Sequence, residues 1–81
     1  MTVTGGENRG PEPAANATVT AEALNVRSEP GVAAGIVAVL GQGARVEIIG
    51  GPEEADGFTW LEISTADGIH GWVAAEFLLG D

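Results

Sequence analysis

Cysteine is absent from this 81-residue chain, and histidine occurs once, as His70. The first absence removes any disulfide framework, and the two together remove a structural zinc site built from the usual ligands. Stability then rests on apolar packing, in a chain so short that folding hides only about 60% of its unfolded surface. Lysine is missing too, which leaves 3 arginines against 12 acidic residues and a formal net charge of −9. Proteins bind nucleic acids by replacing counterions along the phosphates with their own cations, so this chain repels them. Anionic membrane surfaces are disfavoured for the same reason. No apolar run approaches the roughly 20 residues that span a bilayer, and Met1 to Gly6 has neither the basic start nor the apolar stretch of a secretory signal. The expectation is a soluble chain with no nucleic acid partner and no membrane insertion, whose charge serves solubility.

Catalytic groups are equally scarce. The serines are Ser28 and Ser64, and His70 is the one imidazole. Ser64, His70 and Asp67 make a nucleophile, base and acid on paper, but a hairpin histidine is more simply an exposed polar residue. No catalytic residue is assigned, and the chain is expected not to be an enzyme. Glu53-Glu54-Ala55-Asp56-Gly57 offers oxygen ligands, but not at EF-hand spacing, and it reads as a solvated loop. Neither a metal nor a cofactor is expected.

Residues 1–17 mix Gly, Pro, Asn, Glu and Ala with almost no large apolar side chain, so ordering them would bury too little to offset the entropy lost. They read as a linker or leader, and residues 18–81 as one domain. Asn16-Ala17-Thr18 matches the short N-glycosylation pattern, which has meaning only on a glycosylating secretory route. From Thr18 onward, short Val- and Ile-rich runs alternate with Gly, Pro and Asp clusters. Thr18 to Arg27 reads as a first strand ended by Ser28-Glu29-Pro30-Gly31. Ile36 to Leu40 and Arg45 to Ile49 flank Gly41-Gln42-Gly43 as a hairpin, and Gly50 to Gly57 reads as a polar loop. Phe58 to Thr65 and Ile69 to Ala74 flank Asp67-Gly68, a strong hairpin signal, before a terminal turn at Phe77. The core is expected to hold Leu24, Val26, Ile36, Leu40, Val46, Ile48, Ile63 and Val73, with Trp72 partly exposed. A monomer is expected for the isolated domain.

Ala23-Leu24-Asn25-Val26-Arg27-Ser28-Glu29-Pro30-Gly31 resembles the opening motif of the bacterial SH3 domains. Ile36 to Leu40 with Gly43 and Val46, then Trp60-Leu61-Glu62-Ile63, then Asp67 to Val73 with Phe77-Leu78, follow in the family's order. The resemblance implies an all-β, SH3-like barrel of about five short strands with a short terminal helical turn. It also implies a module of cell-wall hydrolases, surface proteins or envelope adaptors, some of which are similar to peptidoglycan-targeting domains.

The position of Trp60 is similar to that of the tryptophan lining the peptide groove of eukaryotic SH3 domains. An exposed indole there would stack on a sugar or cover an apolar side chain, and its removal would spare the fold; plain packing in the barrel is the alternative reading of Trp60. Trp72 and Phe58 are further aromatic candidates. Asn25 and Arg27 stand where the eukaryotic motif has tyrosines, and Ala74 stands where a proline is expected, so recognition of Pro-rich helices in the eukaryotic manner is not expected. Arg27 and Arg45 could orient a ligand carboxylate, although internal salt bridges to the many acids are the simpler expectation. Three roles follow in order: targeting or anchoring to cell-envelope material such as peptidoglycan, protein interaction or spacing without a small ligand, and an accessory role beside a wall hydrolase or peptidase. The first places the domain in an exported protein, extracytoplasmic or at the envelope.

Overall fold

A computed structural model describes residues 15–80, so residues 1–14 of the expected linker lie outside the described residues. Seven strands occur in order: β1 (Ala17–Val19), β2 (Ala23–Arg27), β3 (Ile36–Gly41), β4 (Arg45–Ala55), β5 (Phe58–Ser64), β6 (His70–Ala74) and β7 (Leu78–Gly80). A 3-10 turn over Ala75–Phe77 precedes β7. The pairings are antiparallel and run β3-β2-β6-β5-β4-β1-β7. Among the described residues no helix is long and apolar enough to cross a membrane.

The expected single strand over Thr18 to Arg27 is two. A bend at 20–22 sends β1 against β4 and β7, while β2 pairs with β3 and β6. The last three residues of the expected linker also belong to the fold. Ala17 is buried in β1, Asn16 donates its backbone N–H to the Val46 carbonyl, and its side-chain oxygen accepts the Ile48 N–H at 2.8 Å. The side chain that a glycosylation pattern would use is thus tied to β4.

The polar loop expected over 50–57 is largely strand. β4 runs on to Ala55, pairing Glu53 with Trp60, Glu54 with Thr59 and Ala55 with Phe58, and only Asp56-Gly57 turns, both at positive φ. Register shifts between Ile48 and Glu53 absorb the irregular Gly50-Gly51-Pro52 segment, and Leu78 to Gly80 adds a closing strand after the terminal turn. The hairpin at Asp67-Gly68 forms as expected, with Gly68 at φ 95° and donating to the Thr65 carbonyl.

The core joins Ala17, Val19, Leu24, Val26, Leu40, Val46, Ile63 and Val73, with Ile48 packed half-buried against it. Ile36 is a correction, because it is 53% exposed. Alternation from Leu40 and Ala38 would bring it inside, but β3 carries one extra residue there: Val26 faces Ala38 while Arg27 faces Ile36. This bulge moves Ile36 onto the outward face of Arg27.

β6 crosses β2 so closely that a Cβ on Gly71 would lie 2.6 Å from both the Arg27 carbonyl oxygen and a Val26 methyl. Only glycine lets the two halves of the sheet meet here.

Two measurements check this account. Ile63→Ala should cost about 2 to 5 kcal/mol in urea unfolding, since its side chain is fully enclosed by the core; a change of a few tenths would place it outside. A chain starting at residue 18 should be less stable than one starting at residue 15 by about 1 to 2 kcal/mol, through lost hydrogen bonds and lost burial of Ala17.

Candidate functional site

Strand alternation gives the sheet an outer as well as an inner face. Leu24, Val26, Ile63 and Val73 point inward; Asn25 and Arg27 of β2, Phe58 and Trp60 of β5, and Trp72 and Ala74 of β6 share the outward face. Cross-strand pairs lie side by side on one face, so two outer rows can be read directly. One runs Ile36, Arg27, Trp72, Glu62; the neighbouring row contains Val39 opposite Asn25 and Ala74 opposite Trp60.

On this face a groove of about 170 Å³ is lined by Ala23, Leu24, Asn25, Arg27, Val32, Phe58, Trp60, Ala74 and Phe77. Four of the five residues proposed from sequence, Trp60, Phe58, Asn25 and Arg27, therefore line one depression. Trp72 does not line it and stands half-buried in the adjoining row, between Arg27 and Glu62. Val32 and Phe77 were not assigned to the site from sequence. Val32 reaches it from the 28–35 loop, whose path no local pattern specifies, and Phe77 through the terminal 3-10 turn.

Trp60 is the groove's floor rather than an exposed platform. It is 3% exposed, its Nε1–H donates to the Ala55 carbonyl at 3.0 Å, and the Phe58 ring meets it edge-on at 6.2 Å between centroids. Two buried residues three apart on one strand, Trp60 and Ile63, face opposite ways. Ile63 fills the core, whereas Trp60 is roofed by the hairpin turn and the outer side chains. Phe58, 36% exposed, is the aromatic that a ligand reaches first.

The groove's two walls are held together by Asp56. Its carboxylate accepts the Val32 N–H at 2.9 Å, tying the β4–β5 turn to the 28–35 loop. Asp56 sits at φ 54°, a left-handed position that aspartate tolerates better than most residues.

Arg27 departs from the expected salt bridge. Its Nη1 donates to the Ala34 carbonyl at 2.8 Å, and among the described residues no carboxylate pairs with it. Arg45 bonds the Thr18 hydroxyl and the Ala15 carbonyl at the far side of the domain, on β4.

The triad drawn on paper is not assembled. His70 Nε2 lies 2.6 Å from Glu62 Oε2, and the Thr65 hydroxyl donates to Asp67. Among the described residues no group of three or more His, Asp or Glu is placed to hold a metal ion. Glu53 and Glu54 lie exposed on β4, and Asp56 is spent on Val32.

A small all-β fold whose strands present an open, aromatic-floored groove belongs to the class of binding modules. The family model for the bacterial SH3 domain matches residues 22–78, and the chain belongs to that family of non-catalytic binding modules. No curated protein and no solved structure is a match for the chain.

Trp60→Ala should cost about 3 to 5 kcal/mol, against less than about 1.5 kcal/mol for the half-open Phe58, because only the first empties an enclosed site; paired urea titrations read the difference. Asp56→Ala should speed hydrogen exchange of the Val32 amide while leaving the Ile63 amide protected, since it removes one acceptor at the groove's rim and nothing from the core.

Proposed function

We propose that this domain is a non-catalytic module that targets or anchors its parent protein to cell-envelope material such as peptidoglycan, and that the outer-face groove is the contact. The single observation that carries this is the groove itself, with Trp60 as floor, Phe58 and Phe77 as aromatic walls, and Asn25 and Arg27 as polar groups at one side. Apolar surface with a few convergent polar groups is the usual make-up of a ligand site. Its charge bears on how it binds. At −9 the chain gains nothing from attraction to anionic wall polymers, so affinity comes from stacking and hydrogen bonding to neutral parts of the polymer. In this reading the module works outside the cytoplasm, as part of an exported protein.

Pull-down with purified cell wall tests the reading. The chain should be retained, and raising salt should leave retention unchanged or strengthen it by screening repulsion. Phe58→Ala should lower retention at least fivefold with the fold intact, the variant of choice because Trp60 is structural. Failure of the parent chain to bind at both low and high salt would leave a protein-interaction or spacer role in its place.

A further inference from the structure

The groove is open and small against the repeating sugar unit of a wall polymer. An apolar cavity of about 150 Å³ accepts one benzene-sized group, and this one holds about 170 Å³. One or two alanine-sized residues match it, whereas a disaccharide would lie largely outside it. Its lining is apolar except for Asn25 and Arg27, whereas a sugar would need polar partners along its whole edge.

Arg27 sets the charge that the groove accepts. A guanidinium has five N–H donors, and here one interaction is made, from Nη1 to the Ala34 carbonyl. In a chain with 12 acidic residues it would be expected to find a carboxylate, yet among the described residues none pairs with it. It lies half-buried at the groove, with Trp72 on one flank and Ile36 on the other. The segment from Pro30 to Ala44, which forms the loop above it and the strand beside it, carries no charge at all. A half-buried cation to which no carboxylate of the described residues is bonded pairs strongly with one well-placed anion. The acidic remainder of the surface disfavours ligands with many negative charges.

We infer that the groove takes the free C-terminal end of a wall peptide stem, with its last alanine-sized residues on the Trp60 floor and its terminal carboxylate on Arg27. This rests on the targeting reading and sharpens it: the module distinguishes stems whose terminal carboxyl is free from those in which it is amide-linked to a neighbour.

The test uses the 81-residue chain and three probes, followed through the Trp60 indole and Arg27 side-chain N–H resonances. These are N-acetyl-D-alanyl-D-alanine as the free acid, the same peptide as its C-terminal amide, and the L,L acid. The D,D acid should bind at least tenfold more tightly than the amide, and Arg27→Gln should bring the acid down to the level of the amide. The comparison of acid with amide on the parent chain stands even where Arg27→Gln loosens the Ala34 contact. Equal binding of acid and amide, or a preference that survives Arg27→Gln, overturns the inference. Equal binding of the L,L acid overturns its assignment to wall stems in favour of protein C-termini. If cell wall retains the chain while none of the peptides binds, this inference fails and the targeting reading stands; if the D,D acid binds but intact wall does not retain the chain, the targeting reading fails and the carboxylate site remains.

Discussion

The contact at Gly71 governs much of this domain. β2 and β6 are joined through one registered pair, Arg27 opposite Trp72, and that pairing is what links the β2–β3 hairpin to the β4–β5–β6 meander. A side chain at Gly71 would strike the Arg27 carbonyl and the Val26 methyl, both 2.6 Å from its Cβ, so the two halves would be pushed apart. Separation there would expose Val26 and Val73, the centre of the inner face, and would also part Arg27 and Asn25 from Trp60 and Ala74 on the outer face. Core and groove are opposite sides of the same seam.

That shared seam explains why so small a domain can hold a formed groove. A chain of this length buries a thin core, and a second layer of packing outside the sheet adds to it. Trp60 provides that layer, bonded to the Ala55 carbonyl and met edge-on by Phe58, with Val32 across the groove on the loop that Asp56 anchors. The residue that stabilises the outer face also closes the bottom of the groove, beneath the more open Phe58. Exposed apolar side chains at Ile36 and Val39 extend the apolar surface beyond the groove. Of the acids on this side, Asp56 at the rim is tied to the Val32 N–H and Glu62 lies beyond Trp72 against His70, so Arg27 is the cation that the groove itself presents.

The family and the strand content could be read from the residues in order: the Ala23 to Gly31 segment, the Trp60 to Ile63 strand, and Asp67 to Val73 with its glycines all have local physical meanings. Seven of the eight core positions expected from alternation are buried or packed against the core, because period-two patterning reports which face a side chain takes wherever the strand is regular. Ile36 escaped because a bulge inserts one residue, and nothing in Gly35-Ile36-Val37-Ala38 marks where β3 gains it. The hairpin at Asp56-Gly57 carried the same kind of signal as Asp67-Gly68, but the acids before it resemble a loop; pairing with Phe58, Thr59 and Trp60 overrides their weak strand preference.

By itself, then, the sequence determined the all-β class, the inner face of each regular strand, the sharp turns, and the lack of disulfides, since these follow from local backbone preference and composition. Tertiary structure alone decided that Trp60 is a floor and not a platform, that Arg27 has no acidic partner among the described residues, that Val32 and Phe77 complete the groove, and that Trp72 stands outside it. Each of these depends on which segments distant in sequence come to lie over a side chain. Alternation names the face a residue occupies, but only the folded chain shows what covers that face.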